Sequence, residues 1–418
     1  MKKLLILGAG FSYNLGMPLA AELTEIFLCI FKRIPPKGLV NNLLNSNKFN
    51  IERPVNEIAL NKAIKIINDY DGKNYEELLS HIQFLSETNV KTSTSDRDSY
   101  FAVYSICYSI IHIILVNYQI ASFKTMYLKN RDHFNGLKNL LSKSETWVFT
   151  LNHDIYLECL SLDLGIPITY GDSEKITFPK SNIEMDNIIE MTFSYRNEFL
   201  EHNSFFKEDF GINLVKLHGG LSELHYDDGK KICNQSLKDN NAIELMYDFM
   251  NIQQMGYYFN GIKEPSGKDR VITDLKGNLD IICQAMMTGG KKYSITNNDK
   301  KGEEKLKLFS EILKQTDEVT VLGYGFGDKH INNRLSNAML LNENLKIQIV
   351  DKVSRGIPLS LEQFDYSGRV RTATCGAAEW MEYVGTSRWN TDQIEGLKNN
   401  ENLRNKIREK VKTLFPSC

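Results

Sequence analysis

Apolar and polar positions along the 418-residue chain divide it into strand-like and helix-like stretches that alternate. Lys2 to Leu7 is a short apolar run closed by a glycine-rich turn, and Pro18 to Phe31 then places Leu19, Leu23, Ile26, Phe27 and Ile30 at helical spacing. Strand, tight turn and helix in that order open a parallel nucleotide-binding sheet. Strand signals return at Thr146 to Thr150, Asn213 to Leu217, Val319 to Leu322 and Lys346 to Val350, and helical patterns over 303–315 and 329–341 alternate with the last two. The class expected is α/β, built around a parallel sheet.

Residues 52–140 differ from this frame. Val55, Ile58, Ala59, Ala63 and Ile66, then Tyr75, Leu78, Leu79, Ile82 and Leu85, then the apolar stretch Phe101 to Phe123 carry helical periodicity. They predict a helical insertion that covers one side of a ligand cleft. Residues 172–211 and 224–270 are polar, with Gly229, Gly261 and Gly267, and read as variable loops. Gln393 to Phe415 is amphipathic, a packing element or a partner-binding arm.

Composition removes several alternatives. Fifty Lys and Arg against 52 Asp and Glu leave a formal charge of −2, so no global field draws in nucleic acid, and no direct nucleic-acid binding is expected. The apolar run at the start is too short for a signal peptide, and no stretch reaches the ~18 uninterrupted apolar residues of a membrane span. The nearest, Ile106 to Val116, contains Cys107, Tyr108, Ser109 and His112. A cytoplasmic protein without a membrane segment is expected. The cysteines at 29, 107, 159, 233, 283, 375 and 418 include no Cys-x-x-Cys pair, so no metal is expected.

The candidate chemistry sits where the strands end, because ligands of open α/β sheets lie beyond the carboxyl ends of the strands. The first cluster is Gly8-Ala9-Gly10-Phe11-Ser12, with Gly16 and Pro18 after it. Small residues admit a phosphate to the backbone, and the helix behind them offers amides and a favourable dipole; the same glycines also serve tight packing. The GxGxxG spacing is not met and no acidic residue ends a second strand ~20 residues on, which counts against an ordinary dehydrogenase. Thr150-Leu151-Asn152-His153-Asp154 follows the second strand signal, and in an extended segment Asn152 and Asp154 face one side while His153 faces the other. Both residues can orient a nucleotide or cap a turn. In Leu214-Val215-Lys216-Leu217-His218-Gly219-Gly220, His218 stands at a strand end before two glycines, placed either for proton transfer or to brace the turn. Gly323, Gly325 and Gly327 alternate ahead of Asp328, which can cap the next helix or bind a hydroxyl. Asp351 ends a further strand and can contact a ribose or cap a turn.

Taken in order, GAGFS with Gly16 and Pro18, TLNHD, KLHGG, VTVLGYGFGD and the following His330-Ile331-Asn332 resemble the motifs of the sirtuin-like (SIR2-like) superfamily. AMMTGGKKYS, residues 285–294, is similar to a glycine-containing segment of its bacterial members. The resemblance implies a Rossmann-like parallel sheet of the sirtuin type over residues 1–351, with 52–140 as a helical insertion and 352–418 as an extension carrying a terminal helix. It implies NAD as substrate, bound by Gly8, Ala9, Gly10, Ser12, Gly323, Gly325, Asp328 and Asp351. It makes Asn152 the residue that holds the ribose, Asp154 the carboxylate near the nicotinamide amide, and His218 the catalytic histidine. Protein-deacylating sirtuins carry a four-cysteine zinc module between the histidine and the late glycine motif, where this chain has only Cys233 and Cys283, and a glutamine where it has Leu151. The resemblance therefore favours the bacterial branch of antiphage NAD hydrolases, with no structural zinc module. That branch implies NAD cleavage to nicotinamide and ADP-ribose, a homo-oligomer, and a partner protein or phage component that controls activity. A deacylase or a nucleotide-sensing subunit are the alternatives.

Overall fold

The computed structural model describes residues 2–46, 54–87, 93–201, 204–238, 241–264, 267–287, 303–354, 356–389, 395–397 and 400–414. Its central element is a seven-stranded parallel sheet. The strands are β1 (Lys3–Leu7), β2 (Glu145–Thr150), β3 (Ile168–Thr169), β6 (Gly211–Lys216), β13 (Glu318–Leu322), β14 (Lys346–Val350) and β15 (Val370–Ala373), in the order β15-β14-β13-β1-β2-β6-β3. β1 shows why the sheet is buried on both faces. Leu5 and Leu7 enter one apolar cluster and Leu4 and Ile6 the other, as the two-residue period of a strand requires. The five strand signals and the helices α11 (Glu303–Lys314) and α12 (Lys329–Leu341) thus stand where the periodicity puts them.

The helices α4 (Glu57–Asn68), α5 (Tyr75–Leu85) and α6 (Thr94–Ser122) occupy the expected helical region, each begun by a side-chain cap from Asn56, Asn74 and Ser93 respectively. Their apolar faces share one cluster with Leu5, Leu7 and the helix α2 (Ala20–Phe31). By length and composition the helical stretch Thr94–Phe134 would also pass for a membrane span, yet 61% of its most apolar window is buried inside the protein. The last described helix, Glu401–Thr413, buries Arg404, Ile407 and Val411. Arg404 donates to the carbonyls of Tyr13 and Met17 at 2.6 and 3.1 Å and pairs with Glu22, so this helix braces the segment behind the first glycine turn.

The polar stretches read as loops prove to be a second sheet. Strands β4 (Glu174–Ser181), β5 (Glu184–Tyr195), β7 (Leu224–Tyr226), β8 (Lys231–Gln235), β11 (Asp269–Thr273) and β12 (Leu279–Gln284) form an antiparallel sheet in the order β11-β12-β7-β8-β5-β4. One face of the sheet is its core face: Phe178, Ile189, Met191, Phe193, Leu224, Cys233, Ile272 and Ile282 share a core that the helix α10 (Ala242–Gln254) completes with Ile252. The solvent face is so charged, as in EMDNIIEMTFSY, that average polarity hid the alternation. Beyond α10, Gly256 N–H donates to Lys180 O and Tyr257 N–H to Val271 O, which ties the two edge strands together.

Candidate functional site

Strand order defines the site before any side chain does. From β1 the chain builds outward through β2 on one flank, then returns at β13 on the other. Such a reversal leaves a crevice beyond the carboxyl ends of the two strands, where open α/β sheets receive nucleotides. Gly8–Ser12 follow β1 and Gly323–Asp328 follow β13, so the two glycine loops meet at that point.

They meet closely. Gly8 N–H donates to Leu322 O at 3.0 Å and Gly10 N–H to Gly323 O at 2.9 Å. A Cβ on Gly10 would lie 2.7 Å from Gly323 Cα, and one on Gly323, whose φ is +64°, would lie 2.4 Å from the Gly10 carbonyl carbon. These glycines are therefore required for backbone-to-backbone packing, and the amides of Gly8 and Gly10 are spent on it. The segment directly behind them, Ala9–Tyr13, is a single short helical turn that precedes the expected helix, observed at Ala20–Phe31.

Ser12 is the meeting point of the second cluster. Asn152 Nδ2 donates to Gly8 O at 2.9 Å and to Ser12 Oγ at 3.1 Å, and the Asp154 side chain is also hydrogen bonded to Ser12. His153 turns the other way, its Nδ1 2.9 Å from Gly219 O. Asn152 and Asp154 thus share one side, as their spacing requires. Asp154 is buried and accepts the amide of Tyr156 at 3.0 Å, so it also caps the turn into the helix α9 (Tyr156–Asp163). Burial pushes its carboxyl up, and the Lys216 ammonium opposes that shift.

His218 and Asp328, expected as separate contributors, form a pair. His218 is 4% exposed, and its Nε2 lies 3.0 Å from Asp328 Oδ2. Asp328 caps α12 through its other oxygen, which accepts His330 N–H at 2.9 Å. The Tyr324 hydroxyl is 3.0 Å from both the Asp328 amide and Asn332 Oδ1, and Asn332 Nδ2 donates to Phe326 O at 2.8 Å, so the GYGFGD loop is rigid. With Nε2–H given to the carboxylate, the neutral ring keeps its acceptor at Nδ1.

Gly325 and Asp351 stand apart from this group. Together with Phe326 they line a cavity of about 220 Å³ beyond β13, β14 and β15. Asp351 Oδ1 also accepts the Val353 amide at 3.3 Å, so the cap expected of it is present.

Beneath the strand ends lies a layer of buried charge that motif reading did not assign. Lys216 bonds the Asp154 carbonyl and lies 2.7 Å from Glu158 Oε1, with both side chains almost fully buried; Tyr170 donates its hydroxyl to the same Glu158 oxygen at 2.8 Å. Lys305, on α11, donates to Lys216 O at 2.9 Å and to Glu223 Oε1 at 2.5 Å, which clasps the His218-Gly219-Gly220 turn from both sides. Met287 N–H completes the hold by donating to His218 O at 2.8 Å. The remainder of the 285–294 segment, from 288 onward, lies outside the described residues. The one available signal for this layer was a lysine inside the apolar strand NLVKL. Among the described residues, no group of three or more His, Cys, Asp or Glu is arranged to hold a metal ion.

Asp172 belongs to the same layer and carries a prediction. Burial pushes its carboxyl up to about 6, against hydrogen bonds from Thr192 and Asn234 that favour the anion. Its folded value lies above the unfolded value near 4, so the folded state binds the proton more tightly. Stability from this group is therefore lost as pH rises between about 4 and 6, by up to ~3 kcal/mol at ~1.4 kcal/mol per pH unit. Chemical denaturation at about pH 4 and pH 7 should show Asp172→Asn less sensitive to pH than the parent over that window. Equal pH dependence in both proteins would remove Asp172 as the source.

No family model matches the chain, and no curated relative does. Among solved structures, one described as "The Structural basis of Sirtuin Substrate Affinity" aligns over 92% of this chain and 92% of its own, at 11% identity and a TM-score of 0.30. The fold and site define an α/β protein with a parallel-sheet switch point and a His–Asp pair at its mouth.

Proposed function

We propose that this chain is an NAD glycohydrolase that cleaves the nicotinamide–ribose bond to give nicotinamide and ADP-ribose. The observation that carries the reading is the joining of His218 to Asp328 beside Asn152, Ser12 and Asp154 at the carboxyl ends of four adjacent strands, at the switch point where a dinucleotide fits. The cavity beside Gly325 and Asp351 suits an adenosine half. Asp351 at a strand end favours a free ribose 2′-hydroxyl, hence NAD over NADP.

In the reaction the bond between ribose C1′ and the nicotinamide nitrogen breaks, and its electron pair neutralises the pyridinium. The leaving group needs little acid help, so the barrier lies in the oxocarbenium-like ribose. Asn152, Asp154 and nearby backbone groups hold the ribose with dipoles aimed at that developing charge. Water forms the new C1′–O bond, and its proton passes to His218 Nδ1 while Asp328 steadies the imidazolium. The motif resemblance supports a further proposal, that this turnover depletes NAD in antiphage defence. On that proposal the chain acts in the cytoplasm as a homo-oligomer, and a partner protein or phage component restrains or triggers it.

Mass spectrometry of every product tests the reading. The protein with its natural partners, activated, is incubated with NAD in the presence and absence of an acetyl-lysine peptide. Peptide-independent nicotinamide and ADP-ribose are expected. Peptide-dependent O-acetyl-ADP-ribose would replace the hydrolase with a deacylase, and NAD binding that alters assembly without either product would make the chain a sensing subunit.

A further inference from the structure

A second cavity, of about 240 Å³, lies at the opposite end of the parallel sheet. It is framed by the amino-terminal ends of β1 and β2, by the loop 204–210 and by the carboxyl end of α11. The five residues of β1 separate it from the switch-point crevice by roughly 15 Å at ~3.3 Å per residue. It shares no residue with the groups assigned to NAD.

One wall is aromatic and fixed. Trp147 is only 9% exposed, with its ring 4.7 Å from that of Phe205. Asn213 holds the loop beside them, accepting Phe206 N–H at 2.8 Å and donating to Phe206 O at 3.0 Å. The rim is cationic. Lys2 Nζ meets Gln315 Oε1 at 3.2 Å and Lys3 Nζ meets Leu141 O at 3.3 Å, both neutral acceptors, and Lys207 is exposed. Two carboxylates, Glu145 and Glu208, face these three lysines, and Glu145 already accepts the Glu208 amide at 2.8 Å. Three lining ammonium groups against two lining carboxylates, beside the tilted Trp147–Phe205 pair, match one anionic group carried on one ring. The volume is below the ~300–1,000 Å³ of clefts that enclose larger ligands, which rules against a dinucleotide.

We propose that this cavity is a second ligand site, for a small molecule that joins one aromatic ring to one anionic group. Its reporter is built in, because Trp147, Trp380 and Trp389 are the chain's three tryptophans. Full-length protein carrying Trp380→Phe and Trp389→Phe is titrated with AMP as probe and with adenosine as its uncharged counterpart, and indole fluorescence is followed. Saturable quenching by AMP is expected, with affinity at least tenfold weaker for adenosine and at least tenfold weaker for AMP after Lys207→Glu. Calorimetry on the protein with its tryptophans intact repeats the Lys207→Glu comparison and keeps the test valid if the double substitution disturbs folding. The proposal fails if AMP gives no saturable signal, or if removing either the phosphate or the Lys207 charge leaves affinity unchanged.

Discussion

His218→Ala is expected to lower nicotinamide release from NAD by about 10²–10⁴-fold, the range typical of a positioned general base. The side chain is buried at a strand end, yet the turn around it is held by backbone and lysine contacts that alanine leaves in place: Met287 N–H on His218 O, and Lys305 on Lys216 O and Glu223. The variant should therefore keep its secondary structure and oligomeric mass while losing chemistry. Asp328→Asn gives the companion result. An amide in place of the carboxylate can donate to Nε2 and force the proton onto Nδ1, which removes the acceptor that water needs. Its turnover should fall with KM for NAD little changed, and its pH profile should shift, because a helix cap alone would not move either quantity. Turnover like the parent's in a folded His218→Ala protein, assayed in the activated complex, would end the general-base assignment.

Lys216→Met should cost about 3–5 kcal/mol of stability, the usual penalty for removing one member of a buried ion pair. Glu158, 1% exposed, would keep the Tyr170 hydroxyl at 2.8 Å but lose its countercharge, and the carbonyl of Asp154 would lose its ammonium partner. The loop that carries Asn152 and Asp154 would then be released from the strand that carries His218, so activity should fall with stability. Urea denaturation of Lys216→Met, of Glu158→Gln and of the double variant separates the terms. The double variant should be more stable than the sum of the single losses implies, because neither leaves a charge stranded. A loss below about 1 kcal/mol for Lys216→Met would mean that Glu158 finds another partner or water.

The parallel sheet was legible because its signals are local. KLLIL, TWVFT, VTVL and KIQIV are buried on both faces and stand out as apolar runs, and the glycine and polar residues that close them fall at the strand ends. Asn152 and Asp154 on one side and His153 on the other followed from a two-residue period. The second sheet was not legible, because a strand with one wet face and many charges has the average composition of a loop. Its strands became visible only through partners as distant as Phe178 and Ile272 in one core.

Periodicity and turn chemistry, which act over a few residues, were enough to establish the α/β class, the main strands and the residues at their ends. Which of those residues touch was decided by the sheet order. Asp328 follows β13 and His218 follows β6, with β1 and β2 between them, so their loops must cross three strand spacings, roughly 14 Å at ~4.8 Å each, to meet at 3.0 Å. Nothing within a few residues of either one encodes that crossing. The same order pressed Gly10 against Gly323, the tight packing that glycines after a first strand also serve, and it buried Lys216 against Glu158. Local pattern specifies each element because its energy is set by near neighbours, whereas a pairing across 110 residues exists only once the intervening strands have chosen their places.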